Sequence, residues 1–240
     1  MRNSISISLF FLVLLPAASG QDVAKTLPDA PSSQAAQSPV DPPVVPGTID
    51  PSLAKGTRFG LGSKVHYYMT ETYFNPSAIT APAFRAGLRM ANPPGKGATQ
   101  YPLNWRQGGE AFGRNYGDAI AERTSFQTAR FITGAVTRED PRYLPSGSHN
   151  ALARSFHAFV FSFVDHSDSG HPMPALSNFV GAAAGGFVGN AYLPRGFDDV
   201  THAGQRATVR FGFLAGGNLF REFAPQMPAP VRTLIMLIAR

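Results

Sequence analysis

Gly181, Gly185 and Gly189 recur at four-residue intervals inside a stretch, Leu176 to Leu193, that contains no charged residue. Residues four apart share one face of an α-helix, and glycines there let a second backbone come close, the small-xxx-small device of packed membrane helices. An interior glycine costs a helix about 1 kcal/mol relative to alanine, so the stripe predicts close helix–helix packing that offsets this cost. Gly113 with Gly117 and Gly212 with Gly216 repeat the spacing. The expected fold is mainly α: a compact bundle of about five to seven helices with glycine-mediated packing.

The remaining pattern fits this class. Val65 to Phe74 reads as a short helix, and Pro76 to Ala91 as a second that Pro82 bends or divides, with Asn92-Pro93-Pro94-Gly95 as its stop. Lys96 to Asn104 reads as loop. The longest helical period runs from Gly108 to Thr137, with Phe112, Tyr116 and Ile120 on one apolar stripe that Phe126, Ala129, Ile132 and Val136 continue. Asp140-Pro141-Arg142 closes it. His149 to Val164 repeats a helical period through Leu152, Phe156, Phe159, Val160 and Phe163, and Asp165 to Pro172 reads as a polar loop. Val231 to Arg240 is too short to span a bilayer and is expected to dock on the bundle. Three settings stay open: a soluble or membrane-apposed bundle, which is favoured, insertion in the bilayer, and a β-barrel in which Ala207 to Leu214 is a strand.

The N-terminus places Arg2 before the apolar run Ile5 to Leu15, followed by Pro16 and the small residues to Gly20, the order of a secretory signal. Residues 1–20 are therefore expected to be a signal peptide and residues 21–56, rich in Pro, Ala, Ser and Gln, a disordered linker ahead of a helical domain at 57–240. Export places the protein in the periplasm or at the inner or outer membrane of a bacterial envelope. With no Cys, neither disulfides, thiolate metal sites nor a Cys nucleophile are available. The 21 Lys and Arg outnumber the 15 Asp and Glu. Lys occurs only at positions 25, 55, 64 and 96, so the positive charge is mostly guanidinium, suited to planar pairing with carboxylate or phosphate. Membrane or anionic envelope components, and a second copy of the chain, are the expected partners. Nucleic acid is not, because the Arg residues are spread along an exported chain.

Two clusters hold the candidate chemistry. Arg138, Glu139, Asp140 and Arg142, with Asp168 further on, can form a bidentate network or bind an anion. A helix C-terminus with a following turn accounts for the same residues and is the preferred reading. Asp165-His166-Ser167-Asp168-Ser169-Gly170-His171 has metal-ligand residue types but lacks a third His at helical spacing, so neither a metal nor another cofactor is expected.

Leu27 to Ser32 (Leu-Pro-Asp-Ala-Pro-Ser), Asp140 to Tyr143 (Asp-Pro-Arg-Tyr), Asp168 to Gly170, the Asn- and Gly/Ala-rich stretch Asn178 to Pro194, and Glu222 to Pro225 together resemble a group of uncharacterised exported bacterial envelope proteins. That resemblance implies architecture and location, with no activity attached. Pro145-Ser146-Gly147-Ser148-His149, with Arg154 and His157, is superficially similar to the lipid phosphatases of the membrane acid-phosphatase class. The extra Ser148 interrupts their motif, and the first motif is absent. The expectation is a non-enzymatic structural or binding protein of the envelope. The alternative is a phosphoester hydrolase using Arg138, Arg142, His149 and His157.

Overall fold

The computed structural model describes residues 59–93 and 101–238, so the expected signal peptide and linker lie outside the described residues. Eight α-helices occur among these residues: α1 Leu61–Met69, α2 Ser77–Ala91, α3 Leu103–Arg106, α4 Gly108–Thr137, α5 Ala151–Val160, α6 Leu176–Asn190, α7 Val200–Phe223 and α8 Ala229–Ile238. A π-helical turn, Thr70–Phe74, continues α1. Pro82 does not divide α2, which runs through it with the ring buried. The four-residue α3 occupies the end of the expected loop, and Ala207 to Leu214 is helix, not strand.

Helix ends follow their local chemistry. Asn150 caps α5 by accepting from the Leu152 and Ala153 amides, and Asp199 caps α7 by accepting from the His202 amide. Helix α4 ends at Thr137, as its period indicates, where Arg138 turns left-handed at φ 61° ahead of Asp140-Pro141-Arg142. Beyond it lies an antiparallel sheet that the polar-loop reading of Asp165 to Pro172 missed: β1 Glu139–Asp140, β2 Val164–Ser167 and β3 Pro172–Pro174, in that order. Asp140 pairs with His166, and His166 with Pro172.

Helix α6 is packed between α4 and α7, with its two faces stripped to small residues. A Cβ at Gly181 would lie 3.0 Å from the Phe126 carbonyl oxygen, and one at Gly185 3.0 Å from that of Glu122. On the other side a Cβ at Gly186 would lie 2.6 Å from the Ala203 carbonyl oxygen. Gly113, Gly117, Gly212 and Gly216 face open space, so a Cβ at any of them would meet nothing within 4 Å. For Gly212 and Gly216 the expected packing role is not what the backbone shows. Helix α8 lies on α2.

The polarity of the bundle is inverted. Most apolar residues buried among the described ones are alanines; the larger are Tyr101, Trp105, Phe126, Tyr143 and Leu193. The buried face of α4 carries Asn115, Asp118, Glu122 and Arg123. Most of its expected apolar stripe points outward instead: Phe112 and Ile120 are exposed, and Val136 is 79% exposed. The same holds on α5, where Leu152 is 79% and Phe156 69% exposed. The helical period was therefore legible, and its inward face was not.

Candidate functional site

Three helices each contribute a pair of like charges four residues apart to one buried network. Helix α2 supplies Arg85 and Arg89, α4 supplies Asp118 and Glu122, and α7 supplies Arg206 and Arg210. Such spacing puts both members of a pair on one helix face. Arg85 donates to Glu122 at 2.7 Å, and Arg206 donates from one nitrogen to Asp118 and to Glu122, both at 2.8 Å. Arg89 donates to Asp118 and, at 3.4 Å, to Glu122. Asp118 is 0% and Glu122 1% exposed.

Glycine makes this reach possible. A side chain at Gly189 would collide with the Arg206 guanidinium and would lie 3.3 Å from the Glu122 Cβ. Arg206 thus passes across α6 at Gly189 to meet the α4 carboxylates. Burial by itself would raise the Glu122 carboxyl, but Arg85, Arg210, Arg206 and Arg89 together hold it below its ordinary value. Burial, reinforced by the Arg206 charge, brings Arg89 down to about 10. Both carboxylates are enclosed and engaged by guanidiniums, which suits a structural network and leaves neither exposed to act on a substrate.

A second buried carboxylate, Glu222 at the end of α7, accepts from the Tyr143 hydroxyl at 2.6 Å, the Ser146 amide at 2.9 Å and Arg154 Nε at 2.8 Å. Burial, and then the bond to Glu222, push the Tyr143 phenol far above its usual range. Tyr143→Phe is expected to destabilise the fold by about 1–3 kcal/mol, the cost of leaving a buried acceptor one donor short. Urea unfolding followed by circular dichroism measures it, and an unchanged midpoint would contradict the assignment.

The sequence-predicted residues serve separate tasks. Glu139 accepts from the Ser177 amide at the start of α6 (2.9 Å) and from the Thr137 hydroxyl (2.8 Å). Asp140 takes a bidentate pair from Arg142 (2.7 and 3.0 Å), whose guanidinium also stacks 3.9 Å from the centre of the Phe59 ring. Asp168 pairs with Lys64 at 2.9 Å, and both line an open recess of about 480 Å³ with Arg138. His166 Nδ1 lies 3.1 Å from Asp165 and its Nε2 3.7 Å from Asp140. Burial raises the Asp165 carboxyl despite His166 and Arg130.

No family model matches this chain, and no match is found among curated proteins or solved structures.

Of the remaining candidates, His157 Nε2 sits 2.9 Å from the Leu144 carbonyl oxygen with its ring near Tyr143 and Phe161, and His149 is exposed just before the α5 cap. No group of three or more His, Asp and Glu residues that could hold a metal ion occurs among the described residues. Sequence reasoning missed Arg85, Arg89, Asp118, Glu122, Arg206 and Arg210, and met Arg154 and Glu222 only as parts of a resemblance, without their pairing. The signal that would have found the first six is like charge at four-residue spacing on three helices. Such pairs repel in an isolated helix and imply partners on another.

Proposed function

We propose that this is a non-catalytic protein of the cell envelope whose folded domain seats itself in the surface of a lipid bilayer. The observation that supports this reading is the inverted polarity. Large apolar side chains stand exposed on all eight described helices, among them Leu61 on α1, Ile79 on α2, Leu103 on α3, Ile132 on α4, Phe156 on α5, Phe187 on α6, Phe213 on α7 and Leu234 on α8. A single protein interface gathers apolar surface on one side, whereas this distribution suits a non-directional apolar phase. Buried charge satisfied within the bundle lets such an exterior exist without guanidiniums facing acyl chains. No helix among the described residues is long and apolar enough to cross a membrane, so the reading is of a domain lying at the interface.

The test is flotation with phosphatidylcholine vesicles. The purified chain is expected to float with them and to stay bound in high salt, because apolar partition is not screened. Leu152→Asp together with Phe156→Asp should reduce the floated fraction several-fold with little change in unfolding midpoint, since both side chains are exposed. A wild-type chain that stays lipid-free as a soluble monomer or closed oligomer overturns the reading.

A further inference from the structure

A cavity of about 60 Å³ opens beside the buried network, between α4 and α7. Its polar lining comprises Arg130 on α4, Arg210 and Arg221 on α7, Gln127, and a single carboxylate, Glu71. One ordered water needs about 10–15 Å³ of such space, so the cavity has room for a group the size of a tetrahedral oxyanion. Its other walls include Phe126, Phe213, Phe220 and Ile235.

Counter-charge reaches this lining from beyond the cavity, from Glu122 toward Arg210 and from Asp165 toward Arg130. Three guanidiniums line the cavity against one carboxylate. The Arg210 guanidinium sits over the Phe126 ring, 4.1 Å from its centre. Arg130 donates to the Pro141 carbonyl at 3.1 Å while its Nε is buried with no hydrogen-bond partner among the described residues. Arg210 and Arg221 are three helical turns apart and share one face of α7. Desolvation, and then the Arg85 charge, bring Arg210 down to about 9 against the pull of Glu122. Guanidiniums gathered from two helices around one cavity offer an entering anion several charge-assisted donors.

We infer that this cavity binds a phosphate group through Arg130, Arg210 and Arg221. Guanidiniums from two helices surround a tetrahedral oxyanion better than a planar carboxylate, and the phenyl walls accept an apolar continuation of the ligand. The phosphate is either a free anion or the headgroup of an anionic lipid; only the second source rests on the bilayer reading above.

The experiment uses the purified full chain and three probes: inorganic phosphate, phosphatidylcholine vesicles, and the same vesicles containing phosphatidate. Wild-type protein is expected to show saturable thermal stabilisation by phosphate, or tighter flotation with phosphatidate vesicles than with phosphatidylcholine alone. Arg210→Gln should weaken whichever effect is present by about tenfold or more, the loss of one charge-assisted contact. Arg195→Gln, an exposed change outside the cavity, should not. If Arg210→Gln fails to fold, Arg130→Lys, which keeps the charge but loses the planar fork, is expected to weaken binding. A response to inorganic phosphate identifies the free anion, and one confined to phosphatidate vesicles identifies the headgroup. Absence of both, or an equal loss in Arg195→Gln, overturns the inference. Phosphatidylcholine flotation reports on the bilayer reading separately, so either idea can fail while the other stands.

Discussion

Glu122→Ala is expected to be the most damaging single substitution in the bundle, lowering stability by about 3–5 kcal/mol. The carboxylate receives Arg85 at 2.7 Å and Arg206 at 2.8 Å, with Arg89 at 3.4 Å. Its removal leaves guanidiniums from two further helices facing one another around Asp118 alone. The loss is the penalty of uncompensated buried charge, which exceeds the net worth of the pairs themselves. Urea titration monitored by circular dichroism measures it; a midpoint within error of wild type would show that the network contributes nothing. The wild-type protein carries a matching pH signature. Because the folded state holds the Glu122 carboxyl below its unfolded value, its contribution is present above the unfolded pKa of about 4.3 and is lost as pH falls through the folded one. Acid destabilisation below that range should therefore be shallower in Glu122→Ala than in wild type.

The second large effect separates glycines that look alike in sequence. In Gly186→Ala the new methyl would lie 2.6 Å from the Ala203 carbonyl oxygen and 2.8 Å from the Ala207 amide nitrogen. Both neighbours are backbone, so α6 and α7 must move apart. Overpacking of this kind costs about 1–3 kcal/mol. The displacement also draws Arg206, three residues beyond Ala203, away from Asp118 and Glu122, placing the expected loss at the upper end. Gly212→Ala should act with the opposite sign. Its methyl meets nothing within 4 Å, and the gain in helix propensity is about 0.5–1 kcal/mol. Thermal or urea melts of the two variants side by side test this; two shifts of the same sign would refute the packing assigned to α6.

These contrasts show what could be read from the chain. Helix α4 is legible end to end, because thirty residues of 3.6-residue period follow Gln107 and stop at Thr137 without a proline. The glycine spacing at 181, 185 and 189 marks a real close approach, yet the same spacing at Gly212 and Gly216 does not. Spacing establishes a shared face, and only the neighbouring helix decides whether anything comes near it. The hairpin at Val164–Ser167 and Pro172–Pro174 was hidden by residue types that favour turns, with two prolines in an edge strand, where a missing amide is tolerated. Glu139 and Asp140 were recognisable as chemically notable. Their separate tasks depend on Ser177, 38 residues later, and on Arg142, two residues later. The inward face of α4 was inverted because the larger apolar stripe of a helix normally faces the core. The like-charge pairs at Asp118/Glu122 and Arg206/Arg210 are the feature that outweighs this rule.

The reach of Arg206 across Gly189 also sets when the bundle can become complete. Its partners Asp118 and Glu122 lie 88 and 84 positions earlier, whereas Arg85 lies only 37 from Glu122. An emerging chain can therefore close the α2–α4 half of the lattice early and must wait for α7 to close the rest. Loop closure over such separations is slow relative to local pairing. A fragment ending after α6 would retain the narrow glycine passage with nothing threaded through it, so the segment from α7 onward acts as the bolt that locks helices already made.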